Sequence, residues 1–263
     1  MRRELKKPRG IVPGAPNGEM EHRRVPPSPA LAHRLAHFWW VRWNLNEPFV
    51  AMTLPHPTVH VIFEPPAAGV VHGVPERRFE RRLEGRGFVF GVKFRPGGFS
   101  GLVDSDVRAL TNRGLPAREV FQGVARLERV VAKAASMETC VEAAEAFFSL
   151  PALSDEAGLV RDVVERLEED RSFVRVEQAA ALAGVDVRTL QRLFRRHVGV
   201  TPKWVLARYR LHEAAARLTE APRSSLARLA AELGYADQAH FTRDFTSVVG
   251  RSPRVVAGVV RGR

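Results

Sequence analysis

Between residues 35 and 112 the apolar positions come in short runs interrupted by Pro or Gly. Phe38–Trp43, Phe49–Leu54, Thr58–Phe63, Gly69–Val74 and Phe88–Phe94 are rich in β-branched and aromatic residues, which suit a pleated, half-buried surface. Segments so short and so spaced predict a small sandwich or barrel. Beyond Pro116 the period changes. Val120, Val124, Leu127, Val130, Val131 and Ala134 recur at helical spacing, and a second helix is predicted over Glu138–Leu150. A third, over Glu156–Glu169, carries Leu159, Val160, Val163, Val164 and Leu167 on one face. The boundary between a strand-rich and a helical region falls near Pro151 to Asp155. Residues 1–30 hold six prolines and no apolar periodicity, which predicts a flexible arm.

The remainder of the chain repeats itself. At an offset of 50, Val176, Ala179, Ala180, Ala183 and Gly184 match Leu226, Leu229, Ala230, Leu233 and Gly234. At an offset of 51, Leu190, Phe194, Val198, Gly199, Thr201 and Pro202 match Phe241, Phe245, Val249, Gly250, Ser252 and Pro253. One inserted residue after Gly234 accounts for the change, and the pattern is a duplicated unit. Each unit begins with a short amphipathic helix that ends at a Gly able to take positive φ. Asp186 or Asp237 then supplies the N-cap of a second helix. Helix, tight Gly turn, helix is the outline of a helix-turn-helix, whose second helix fits a DNA major groove. Between the units, Thr201-Pro202 opens a helix running to about Thr219. Eighteen residues at a rise of ~1.5 Å span about 27 Å, near the ~34 Å that separates major-groove faces one turn apart.

Charge sharpens this outline. The 263 residues carry 41 Lys and Arg against 29 Asp and Glu, a net +12. From Arg171 to the end there are 17 basic and 7 acidic residues, a net +10, which leaves +2 for everything before. A basic excess confined to one end points to a polyanion. Hydrophobic residues at 45% and charged residues at 27% exclude a wholly disordered chain. No apolar run approaches the ~20 residues of a membrane span, and the first residues lack the apolar core of a secretory signal. Cys140 is the one cysteine, so no internal disulfide or cysteine zinc cluster can form. A soluble, cytoplasmic protein that does not engage a membrane is expected.

The outward stripes of the two second helices carry base-reading chemistry. Arg188, Gln191, Arg192 and Arg195 fall at i, i+3, i+4 and i+7, opposite Leu190, Leu193 and Phe194. Arg can pair bidentately with guanine and Gln with adenine. The equivalent stripe of the second unit is Ala239, Thr242, Arg243 and Thr246, with Gln238 at its start. Ala and the Thr methyl suit a thymine methyl, and Arg243 suits guanine. Arg195, Arg196, Lys203 and Arg251 are candidates for phosphate contacts.

The stretches Val176-Glu-Gln-Ala-Ala-Ala-Leu-Ala-Gly, Leu190-Gln-Arg-Leu-Phe, Gly199-Val-Thr-Pro, Arg210-Leu-His-Glu-Ala, Leu229-Ala-Ala-Glu-Leu-Gly-Tyr, Asp237-Gln-Ala-His-Phe-Thr-Arg-Asp-Phe and Gly250-Arg-Ser-Pro resemble the AraC/XylS family of bacterial transcription regulators. The resemblance covers about residues 158–260. It implies seven helices, two helix-turn-helix units joined by a linker helix, and double-stranded promoter DNA as partner. It also places base contacts at Arg188, Gln191 and Arg192, and at Gln238, Thr242 and Arg243. Ala239 departs from the family, where Ser is frequent. His37-Phe-Trp-Trp-Val, Leu54-Pro-His-Pro and Gly91-Val-Lys-Phe-Arg-Pro-Gly-Gly-Phe look like the cupin-like sensor domains that precede many such DNA-binding domains.

The expected architecture is therefore an α+β two-domain chain. Residues 1–30 form a basic Pro-rich tail, and residues 31–152 a sensor or dimerisation domain made of a small cupin-like β-barrel with trailing helices. Residues 156–260 form an all-α DNA-binding domain, with unit 1 about 175–197, the linker helix about 202–219 and unit 2 about 225–248. A small-molecule effector, RNA polymerase and a homodimer through residues 116–150 are further partners this reading admits. His56, His60 and Arg95 are the candidates for ligand contacts. His56, His60 and Glu64 could share a strand face, but the His-x-His-then-Glu spacing of metal-binding cupins is absent, so neither metal nor cofactor is expected. No enzymatic role is expected either. Cys140 lacks a Gly-rich elbow or a basic neighbour, and neither Gly-x-Ser-x-Gly nor a phosphate-binding loop occurs. An architectural, weakly specific DNA binder is the competing reading.

Overall fold

The computed structural model describes residues 16–220 and 225–259. Eight strands come first: β1 (Gly18–Val25), β2 (Leu35–Leu45), β3 (Phe49–Thr53), β4 (His60–Phe63), β5 (Val70–His72), β6 (Phe79–Leu83), β7 (Arg86–Phe94) and β8 (Gly114–Pro116). All pairings are antiparallel. Six strands form one sheet in the order β1-β2-β7-β4-β5-β8, and β3 pairs with β6 as a separate ribbon. Strand alternation divides the large sheet into two faces. Phe38, Trp40, Val61, Phe63, Phe90, Val92 and Phe94 are buried on one face. They pack against α1 (Ala117–Val120), α2 (Val124–Lys133) and α3 (Met137–Phe147) through Leu127, Val131, Met137 and Ala144. The intervening residues His37, Trp39, His60, Ile62 and Lys93 face the other way and line a cavity. Gly91 permits this floor, because a Cβ there would lie 2.0 Å from the Trp39 indole.

Several expectations for this half need correction. Within the arm expected to be flexible, residues 18–25 form β1, whose whole length pairs with β2 from Gly18↔Leu45 to Val25↔Phe38. Its exposed Glu-Met-Glu-His-Arg surface (19–23) conceals a strand stabilised by its ladder more than by burial. Residues 1–15 of the arm lie outside the described residues. The first trailing helix divides at Gly123, which takes φ of +80° and separates α1 from α2. The second ends at Phe147, earlier than Leu150. The barrel is a two-sheet enclosure: among the described residues β1 and β8 share no ladder.

The helical half consists of α4 (Asp155–Glu169), α5 (Val176–Ala183), α6 (Val187–His197), α7 (Pro202–Glu220), α8 (Leu226–Glu232), α9 (Gln238–Val249) and α10 (Pro253–Val259). Helix α7 belongs to two cores. Val205, Leu206 and Tyr209 pack with α4–α6, while Leu211, Ala214 and Leu218 pack with α8–α10. The strand-rich half joins both cores, Val74 entering the first and Leu54 the second. The connection between the halves is pinned by the buried Arg34. Its guanidinium donates to the carbonyls of Pro151 (2.6 Å), Ala152 (3.0 Å), Gly98 (2.8 Å) and Ser100 (2.8 Å).

Candidate nucleic-acid interface

The turn chemistry read from the repeat is present in both units. Gly184 and Gly234 take φ of +66° and +75°, a region L side chains rarely visit. The Asp186 carboxylate accepts from the Thr189 backbone N–H at 2.9 Å, and that of Asp237 from the His240 N–H at 2.7 Å. The charged form is favoured in each case, first by the Thr189 side chain for Asp186 and by the His240 backbone for Asp237, so both carboxyls titrate below their ordinary value.

These caps orient α6 and α9 so that one stripe is buried and the other faces outward. On α6, Leu190, Leu193 and Phe194 are buried; Arg188, Arg192, Arg195 and Arg196 are exposed and Gln191 is half-buried. On α9, Phe241, Phe245, Val248 and Val249 are buried; Gln238, Ala239 and Arg243 are exposed, and Thr242 and Thr246 are half-buried. The Thr246 hydroxyl donates to the Thr242 carbonyl at 2.7 Å, which ties its polar group to its own helix. Lys203 is exposed at the start of α7, and Arg251 is half-buried just beyond α9.

Glu156, in the first turn of α4, was not singled out from the sequence. Its carboxylate lies 3.6 Å from Arg192, 3.2 Å from Arg196 and 3.2 Å from Nε2 of His197. Its carboxyl titrates below the ordinary range, chiefly through the His197 bond. His197 is buried and its other ring nitrogen meets the Ser100 hydroxyl at 2.7 Å. Desolvation dominates, so its pKa falls despite Glu156. A further clasp is the Thr111 hydroxyl, which donates to the Gly199 carbonyl at 2.7 Å. The strand-rich half thus touches the end of α6 directly.

The three candidate ligand contacts all line one cavity of about 1470 Å³. They do not converge. The His56 ring stands edge-on to His212 at 4.4 Å, and His212 donates from Nε2 to the Pro55 carbonyl at 3.0 Å; burial pushes the His212 pKa down to about 3. His60 Nδ1 accepts from the Trp39 indole N–H at 3.2 Å, which leaves Nε2 to donate to the Thr58 hydroxyl at 3.2 Å. Arg95 is ion-paired with Glu165 of α4, and Glu64 is paired with Arg81 at 2.7 Å. No group of three metal-ligating side chains occurs among the described residues.

Lys93, which sequence reasoning passed over, also lines that cavity and makes no hydrogen bond or ion pair among the described residues. It sits in a cross-strand row, paired with His37 on one side and His60 on the other, and His60 is paired with His72. Cys140 is buried in α3, where desolvation pushes its thiol up to about 12, so it packs rather than reacts. No described helix is long and apolar enough to cross a membrane.

Two matched helix-turn-helix units on a shared rigid helix define the C-terminal half as a double helix-turn-helix domain. Residues 179–257 match a family described as a helix-turn-helix domain, and residues 23–116 match one described as a domain of unknown function. The helix-turn-helix match runs from within α5 to within α10 and so takes in both units. It is 34% identical over 87 residues to an uncharacterized HTH-type transcriptional regulator of Haemophilus influenzae, an alignment covering 33% of this chain and 29% of that one. The chain therefore spans less than a third of that relative's length. Among solved structures, it is similar to a transcriptional regulator with an AraC-type DNA-binding domain from Chromobacterium violaceum, at 22% identity, 38% of this chain, 89% of that one and a TM-score of 0.35. ToxT from Vibrio cholerae matches at 11% identity over 92% of this chain and 98% of that one, with a TM-score of 0.42.

Proposed function

We propose that the protein is a transcription regulator that binds promoter DNA sequence-specifically, α6 and α9 reading base edges in successive major grooves. The observation that carries this reading is the matched exposure of two arginine- and amide-bearing stripes on duplicated helices. In this reading Arg188, Gln191 and Arg192 read one half-site and Gln238, Thr242 and Arg243 the other, while Arg195, Arg196, Lys203 and Arg251 hold phosphates. Helix α7, 19 residues long, provides a spacer of about 28 Å.

The cavity between the strand-rich half and α4 and α7 supports a role as an effector site, since ligand pockets of this kind are concave, largely apolar and set between domains. RNA polymerase contact belongs to the same reading, as does a homodimer through residues 116–150. The apolar faces of α2 and α3 are buried in the core, so pairing would use their outer faces. Arg126, Arg129 and Lys133 are exposed on the first, and on the second Glu142 is exposed beside Glu138, which is paired with Arg23 at 2.6 Å; a second antiparallel copy could set its Glu142 against the basic face of α2. Selection of binding sites from random duplexes tests the reading. A single enriched bipartite motif is expected, bound at least ~10³-fold more tightly than random DNA at physiological salt. Uniform retention of all sequences would favour the architectural alternative.

A further inference from the structure

The cavity is electrically lopsided in a way that specifies its occupant. The Lys93 side chain extends from β7 into the space and makes no hydrogen bond or ion pair among the described residues. Desolvation brings its pKa down to about 8, Glu168 opposing that fall, so at neutral pH it is still largely an ammonium ion. Its cross-strand neighbour His37 lines the same space, and its ring also has no hydrogen-bond partner among the described residues. Burial drives the His37 pKa to about 2, so the ring is a neutral donor and acceptor. Across the cavity Glu168 of α4 lines the wall without an ion pair of its own, although its charge is felt by Lys93. Of the other charged groups near this floor, Arg95 is matched by Glu165 and Arg81 by Glu64, while Arg24 adds positive charge that acts on both Lys93 and His37. Trp39, Val41, Ile62 and Val89 supply apolar wall around the unmatched pair.

A half-buried ammonium and a half-buried carboxylate that face a common space without an ion pair between them are each less well solvated than in open water, and a bound partner would offset that cost. A simple organic anion would satisfy Lys93 and confront Glu168. A simple cation would do the reverse. We propose that the cavity binds a zwitterion with a bulky apolar body, of the α-amino-acid type, its carboxylate held by Lys93 and His37 and its ammonium by Glu168. This rests on reading the cavity as an effector site. It adds that the effector bridges the two halves of the chain, because Lys93 belongs to the large sheet and Glu168 to the helix that packs on α5 and α6.

Calorimetry on the full chain tests it with L-phenylalanine and L-tryptophan against 3-phenylpropanoate and 2-phenylethylamine. The wild-type chain is expected to bind the amino acids at least about tenfold more tightly than either one-charge analogue, the worth of one charge-assisted hydrogen bond. Lys93→Met should remove the amino acid's advantage over the amine, and Glu168→Gln its advantage over the carboxylate. Binding of 3-phenylpropanoate as tight as that of phenylalanine would overturn the assignment, as would no binding of either amino acid at millimolar concentration. The wild-type comparison stands even where a variant folds poorly. Duplex binding measured on the same preparation separates the two readings: a chain that binds its DNA motif but prefers the anion loses only this assignment.

Discussion

Replacing Glu156 by Gln should tighten DNA binding. The Glu156 carboxylate contacts Arg192 at 3.6 Å and Arg196 at 3.2 Å, one assigned to base reading and the other to phosphate. To engage a duplex, both arginines must exchange this carboxylate for bases or phosphates. The side chains are 43% exposed for Glu156, 58% for Arg192 and 54% for Arg196, so the pairs are solvent-screened and worth ~0.2–1 kcal/mol each. Releasing two such contacts gives about 0.4–2 kcal/mol, or a gain of ~2- to 30-fold in affinity at 0.1 M salt. Gln has the same shape and can still bond His197. The substitution also removes an acidic residue from the first turn of α4, where it complements the helix dipole, so stability should fall by ~0.3–1 kcal/mol while affinity rises. Fluorescence anisotropy with a selected duplex reads the affinity, and thermal melting reads the stability. Asp155→Asn is the control, since it makes the same change in net charge at the adjacent residue without a contact to either arginine. Equal gains from the two variants would mean that only the general field had changed, and an unaltered affinity for Glu156→Gln would refute the competition outright.

Other outcomes follow from the same contacts. Arg243→Ala should cost ~1–3 kcal/mol on the selected motif and relax preference at one position, whereas Lys203→Ala should weaken all duplexes alike and lower the salt slope by about one; titrations on specific and random DNA separate the two. Leu54→Ala, a change in the strand-rich half, should destabilise the second helix-turn-helix unit by ~2–5 kcal/mol, because Leu54 is 1% exposed within that unit's core. Chemical denaturation followed by hydrogen exchange in α8–α10 would register it, and unchanged protection there would oppose the assignment. Asp186 has a folded-state pKa below its unfolded one, so its stabilising effect is complete above the ordinary carboxylate range and disappears as pH falls through the lowered value. Asp186→Asn should therefore flatten the dependence of stability on pH in acid, while an undiminished slope in acid denaturation would contradict the cap.

The helical half was legible because its signals are local. A Gly that must take positive φ and an Asp two or three residues later recur at nearly fixed offset, so Gly184, Asp186, Gly234 and Asp237 announced both turns before any packing was known. The outward positions of α6 and α9 followed from helical period alone. The strand-rich half resisted because its determinants are distant in sequence. β1 is exposed along most of its length and exists through pairing with β2, so hydrophobic pattern could not reveal it. β6, Phe79-Glu-Arg-Arg-Leu, hides in the same way, and β8 ends at an edge-strand Pro.

The cavity was only half visible. His56, His60 and Arg95 do line it, yet each is engaged by another protein group. Lys93 and Glu168, 75 positions apart, line one space at a domain junction whose geometry depends on Arg34 and on the packing of α4. The alternation Val92-Lys93-Phe94 contained the one usable hint, a lysine on the face opposite the core. Glu156 escaped for a similar reason: the repeat located the face of α6 and said nothing of which helix end lies beside it.

The central claim is that two helices of one chain read one face of a duplex a helical turn apart. Methylation interference on the selected motif measures this most directly. The account predicts two clusters of major-groove guanines whose modification blocks binding, centred ~10–10.5 base pairs apart, with Arg188→Ala or Arg192→Ala erasing only one cluster and Arg243→Ala only the other. A single cluster, or clusters on opposite faces of the duplex, would contradict it.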